Sequence, residues 1–172
     1  MENSEKTVTT RSVGLRFGLI VTVIDIIIFL ALVLLGFDAF DKNWGWVRMA
    51  ISIVILVLAH KNFKDNTDGY MTYGQGVGIG FWILLISIAI GNIFMWLFVS
   101  FVDTTAMDMF YQKQMDEMEA KNMPAAQIEM AMTWTKKLFW VIAAVFGLFF
   151  GMIVALIVSI FTQKKRPEQT HI

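Results

Sequence analysis

Four apolar runs, at about 15–36, 44–60, 77–101 and 138–161, constrain this chain more than any other feature. At 1.5 Å rise per residue, a helix of about 17–25 residues crosses a hydrocarbon core of roughly 30 Å. Lipid is the natural solvent for such runs, because a chain of 172 residues has too much surface for its volume to hide them all from water. Composition agrees: 57% of residues are hydrophobic and 16% charged, against about 45–50% and 25% in soluble domains. The expected fold is therefore all-α, a polytopic four-transmembrane-helix bundle forming a single membrane domain over residues 1–172.

The first run follows some fourteen mostly polar residues, has no small-residue cleavage site after it, and is read as a retained signal anchor. The second is short and carries Arg48 near its start, so a thinned bilayer or an outward-reaching Arg48 is expected there.

Loop charges orient the spans. The face of the N-terminus carries eight basic residues (Lys6, Arg11, Arg16, Lys61, Lys64, Lys164, Lys165 and Arg166) against five acidic ones. The opposite face carries six basic and eight acidic. The positive-inside rule then places both termini in the cytoplasm, with the cytoplasmic (inner) membrane as the expected location. Trp44, Trp46, Trp96, Trp134 and Trp140 gather near the other interface, where indoles prefer to sit.

Between the third and fourth runs, about 104–137, an extramembrane helical hairpin is expected. Met107, Phe110, Tyr111, Met115 and Met118 fall on one helical stripe, with Asp108, Gln112, Asp116 and Glu119 opposite. Asn122 reads as a stop and Pro124 as the start of a long last helix reaching Phe161. Seven methionines lie between Met107 and Met132. Irregular spacing, without His or Cys nearby, favours apolar gap-filling over a soft-metal site.

Several function classes are disfavoured. Cysteine is absent, and His60 and His171 are far apart, so no metal ligand set or thiolate chemistry is visible. Zero formal net charge argues against a nucleic-acid partner. The run Tyr73-Gly74-Gln75-Gly76-Val77-Gly78-Ile79-Gly80 lacks the order and the lysine of a nucleotide loop. No cofactor is expected.

Two sets of residues carry information. Asp25, inside the first span, is costly in lipid unless neutral, paired or wetted, and Arg48 and Asn92 are its candidate company. A buried interhelical hydrogen bond is the simpler role, and a proton or cation site the sharper one. The second set is small residues. Gly74 and Gly78, with Gly76 and Gly80 offset, open the third span, and Gly147, Gly151, Ala155 and Ser159 line the fourth. Spacing of four lets backbones approach, within the bundle or in a homodimer. In the connection 60–75, Asp68-Gly69 reads as a tight turn, Thr72 as a helix cap, and the basic and aromatic residues as headgroup contacts.

The turn Phe63-Lys64-Asp65…Asp68-Gly69-Tyr70-Met71-Thr72-Tyr73-Gly74-Gln75 and the hairpin Lys121-Asn122-Met123-Pro124-Ala125-Ala126-Gln127-Ile128-Glu129 resemble the bacterial membrane family called domain of unknown function 4199. That resemblance implies four spans and an origin mainly in Bacteroidota, and it brings no activity or catalytic residue with it. The leading functional expectation is a non-enzymatic membrane or envelope-associated subunit. It would act by helix packing and by contact with the lipid bilayer, a homo-oligomeric copy or a membrane protein partner. The alternative is a small transporter or channel component using Asp25.

Overall fold

The computed structural model describes residues 8–167, and 82% of them are helical. The helices are α1 (Thr10–Leu34), α2 (Lys42–Asp65), α3 (Tyr73–Leu97), α4 (Ala106–Ala120) and α5 (Ala125–Thr162), with a short π-helical turn, Phe98–Val102, after α3. Four of the helical stretches are long and apolar enough to cross a membrane: Thr10–Leu34, Asn43–Asp65, Tyr73–Val102 and Ala125–Thr162. The chain is thus all-α and multi-pass, as the four apolar runs require.

Local sequence explains most boundaries. Thr9 accepts from the Ser12 N–H at 3.0 Å and Ser12 answers the Thr9 N–H, a reciprocal cap that satisfies donors left over at the start of α1. Asp41 caps α2 by accepting from the Asn43 N–H at 2.8 Å. Thr72 and Gln75 form a second reciprocal box at the start of α3 (3.3 and 2.8 Å), behind a turn in which Gly69 adopts φ +82°. Asn122 ends α4 with φ +56°. Its N–H bonds the Glu119 carbonyl at 2.8 Å and the Met123 N–H bonds the Met118 carbonyl at 3.2 Å, the Schellman pattern. Pro124 follows, and its carbonyl accepts from the N–H groups of Gln127 and Ile128 to launch α5.

One helix runs past the end of its apolar run. The second apolar run stops at His60, but α2 has 24 residues and continues to Asp65. It does so because His60 is fully buried and Phe63 nearly so, which gives the polar-looking last turn its own packing face. As a helix the second span is one residue shorter than the first, 24 against 25, and it differs mainly in being less apolar, with mean hydropathy 1.4 against 3.0. The last helix is the long one expected, and its 38 residues reach about 57 Å.

The described chain divides into two compact units, Met1–Ser87 with Leu148–Ile172, and Ile88–Gly147. In the first, Val13, Leu56, Ala59, Phe63, Met71, Ile79, Ile83, Ala155 and Val158 make a continuous core contributed by α1, α2, α3, α5 and the α2–α3 connection. In the second, the π-turn closes with the Asp103 N–H on the Phe98 carbonyl at 3.0 Å. The Asp103 carboxylate then receives the N–H groups of Thr105 and Ala106, both at 3.1 Å, and starts α4.

Candidate functional site

Within the first unit, α3 and α5 run antiparallel with small residues in register. A Cβ placed on Gly76 would lie 2.9 Å from Ser159 Oγ, and one on Gly80 would lie 2.6 Å from the Ala155 Cβ. One on Gly151 would overlap the end of Leu84. The pairs 76/159, 80/155 and 84/151 step by four on each helix, so a single ridge is shared. Lipid offers no hydrophobic drive between helices, so such close approach, with its dispersion and backbone contacts, is what holds them. The close contacts on α3 thus fall on Gly76 and Gly80. At Gly74 a Cβ would meet nothing within 4 Å, and at Gly78 only Thr10, at 3.8 Å. Gly147 belongs to the second unit, where a Cβ would make ordinary contact with Ile88 at 3.6 Å.

A second close approach was not read from the sequence. Gly14 admits Trp82, and Gly18 admits Ile83 and Ile86, so α1 lies against α3 through residues four apart. Ser87 Oγ adds a 3.3 Å bond to the Gly18 carbonyl, and Thr22 caps the same carbonyl at 2.7 Å. The spacing Gly14, Gly18, Thr22 was the available signal.

His60 is the other residue that sequence reasoning passed over. It is 0% exposed and joins three helices: Nε2 lies 3.0 Å from the Gly76 carbonyl on α3, and Nδ1 lies 2.7 Å from Thr162 Oγ1 on α5. A carbonyl only accepts, so Nε2 carries the proton in that bond. In the neutral ring Nδ1 is then an acceptor, and the Thr162 hydroxyl divides one proton between Nδ1 and the Val158 carbonyl at 2.8 Å. Lys64, one turn on, donates to the Thr162 carbonyl at 2.9 Å.

The chain after α5 is fastened beside this staple. Met71, fully buried, and Lys164 exchange two backbone hydrogen bonds of 2.9 Å, an isolated antiparallel bridge. Lys164 Nζ sits 5.4 Å from the centre of the Tyr70 ring, and Arg166 pairs with Asp68. The connection Phe63–Gln75, which carries part of the family resemblance, is therefore the strap that ties α2 and α3 to the end of α5.

Of the proposed intramembrane polar cluster, the structure places Asp25, half-buried, and Arg48 in the first unit. Arg48 Nη2 donates to the Ala39 carbonyl in the α1–α2 connection at 3.0 Å, while its buried Nε has no partner. Asn92 lies half-buried on α3 in the second unit. Among the described residues, no three His, Asp or Glu side chains gather as a metal site.

The second unit builds a hairpin from α4 and the first turns of α5. Phe139 stands edge-on to Phe110 at 5.5 Å, Tyr111 at 6.2 Å and Trp140 at 5.0 Å. Burial in this cluster, helped by the Asp108 carboxylate, pushes the Tyr111 phenol above its ordinary range. Ile128 and Met132 are buried, and a cavity of about 370 Å³ is floored by Met115, Ile128 and Met132 and rimmed by Glu119, Glu129 and Lys136. Met109, Met130 and Trp134 remain exposed at 61%, 60% and 54%.

The family model described as protein of unknown function (DUF4199) matches residues 16–164, most of the chain. No curated protein and no solved structure was found to match it.

Proposed function

The chain belongs to the DUF4199 family of proteins of unknown function, and on that premise we propose that it is a non-enzymatic membrane subunit that presents its α4–α5 hairpin to a protein partner. The observation that carries this reading is the exposed apolar surface of the hairpin. Met109, Met130 and Trp134 stand out among charged residues on an element that packs Phe110 against Phe139 and buries Ile128 and Met132. Flexible methionines beside an aromatic anchor suit a contact surface. The basic face, with Lys64, Lys164, Lys165 and Arg166, is assigned to the cytoplasm and the hairpin to the outer side of a bacterial inner membrane.

Replacing Met109 and Met130 by Glu tests the reading, since both are exposed and the fold should tolerate the change. The double variant is expected to run as a smaller assembly than wild type in mild detergent. Assemblies of identical size would refute a hairpin contact.

A transport reading has one observation in its favour, the buried Nε of Arg48, which meets no acceptor among the described residues. An ionisable group inside a span is by default a functional-site hypothesis. Reconstituted vesicles in which wild type and Asp25→Asn show the same absence of ion flux would remove it.

A further inference from the structure

We propose that the strap at the basic end of the first unit is a binding site for the phosphate-bearing headgroup of an anionic lipid. Asp68, Tyr70, Thr72, Gln75, Lys164 and Lys165 line a cavity of about 330 Å³ there. That is roughly the volume of ten waters and suits a phosphate with a short polyol.

Charge favours an anion. Lys164, Lys165 and Arg166 border the cavity, and its one carboxylate, Asp68, is already paired with Arg166. The two lysines are thus the charges left to a ligand. Gln75 adds a donor: its amide oxygen is taken by the Thr72 N–H at 2.8 Å, while its amide nitrogen still carries two hydrogens.

Rigidity separates this site from an ordinary basic tail. The two-way bridge between Met71 and Lys164 fixes the backbone that bears the lysines, and Lys64 anchors the preceding residue pair through the Thr162 carbonyl. A ligand then meets charges already held in place, so less ordering opposes binding. Depth selects the lipid as the source. The site lies where three candidate spans end, at Asp65, Tyr73 and Thr162, which is the level of the headgroups. Tyr70 beneath the Lys164 ammonium has the amphipathic character that this level favours.

The test uses the full-length protein in zwitterionic detergent, titrated with short-chain phosphatidylglycerol, short-chain phosphatidylcholine or inorganic phosphate. Binding is read from the thermal midpoint and from lipid retained in native mass spectra. Phosphatidylglycerol should bind and raise the midpoint, and phosphatidylcholine should not. The double variant Lys164→Gln, Lys165→Gln should bind it more weakly by about fivefold per lysine. Lys136→Gln with Lys137→Gln, far along α5, should bind as wild type does.

Equal binding of the zwitterionic lipid, or equal loss in the Lys136 and Lys137 variant, would overturn the proposal. A shift produced as fully by inorganic phosphate would replace the lipid with a free anion. Should the glutamine variant fail to fold, Lys164→Arg with Lys165→Arg must retain binding. The wild-type affinity must also fall between about 0.05 and 0.5 M NaCl, because exposed charges are screened over that range. A salt-independent affinity would contradict the site.

Discussion

The two units use the same secondary structure and hold it together by different means. In the first, contact is made where side chains are missing: Gly76 and Gly80 on Ser159 and Ala155, Gly14 and Gly18 on the Trp82–Ile86 turn, with His60 as a buried polar staple. In the second, contact is made by large side chains, with Phe139 edge-on to three aromatic neighbours and methionines filling the gaps. Between spans, apolar side chains gain little by leaving lipid, so close backbones and satisfied polar groups decide. In the α4–α5 hairpin, edge-on aromatic pairs add directional contact to the area they bury.

That contrast can be broken by substitution, and the largest effect is expected at Gly80. Gly80→Leu places a branched side chain where even a Cβ lies 2.6 Å from Ala155, and should destabilise the protein by about 3 kcal/mol. Gly147→Leu, with its nearest neighbour at 3.6 Å, should cost clearly less. Gly74→Ala, facing open space, should be neutral or stabilising. Unfolding midpoints in detergent that failed to rank these three in that order would undo the register described for α3 and α5.

Next comes His60→Ala, which strips the Gly76 carbonyl and the Thr162 hydroxyl of their shared partner and should cost about 2 kcal/mol. Hydrogen exchange should rise at the end of α2 and leave α4 unchanged. Exchange spread evenly over both units would mean that they do not respond separately.

For the hairpin, Phe139→Ala removes three edge contacts, each worth about 0.5–1.5 kcal/mol beyond area burial. Faster exchange in α4 with unchanged exchange around Met71 is the expected pattern, and the reverse pattern would sharpen the comparison against us.

The smallest effect is a pH dependence. Burial and Asp108 raise the Tyr111 phenol, so the folded hairpin favours the neutral ring. Stability from this source is complete below the ordinary value of 10.0 and is lost as pH rises through the higher folded value. Alkaline loosening of the hairpin, followed by Trp140 fluorescence, should be absent in Tyr111→Phe.

Much of this architecture was legible because it is encoded locally. The apolar runs mark the spans, Asp68-Gly69 and Thr72 mark the start of α3, and Asn122-Met123-Pro124 marks the stop and restart between α4 and α5. What escaped depends on partners distant in sequence. His60 looked like a polar end to α2, because its bonding partners lie 16 and 102 residues away. Which glycines of Gly74–Gly80 face α5 is a matter of helix phase, and a run with glycine at every second position points to both faces at once. Gly14 and Gly18 stand at the entrance to a strongly apolar run, where the hydropathy signal masks the spacing of small residues. For the candidate site, the strap that joins Met71 to Lys164 was not legible, since a backbone bridge leaves no residue-type signature.

The most direct test of the proposed role is site-specific photo-cross-linking in native membranes, with the probe at Met109 or Met130 and, for comparison, at exposed Phe149 within the fourth candidate span. The account predicts a discrete protein adduct from both hairpin positions, weakened when Phe139→Ala loosens the hairpin and unaffected by Asp25→Asn, with lipid adducts alone from Phe149. Protein adducts that are missing from Met109 and Met130, or that vanish with Asp25→Asn while surviving Phe139→Ala, would contradict it.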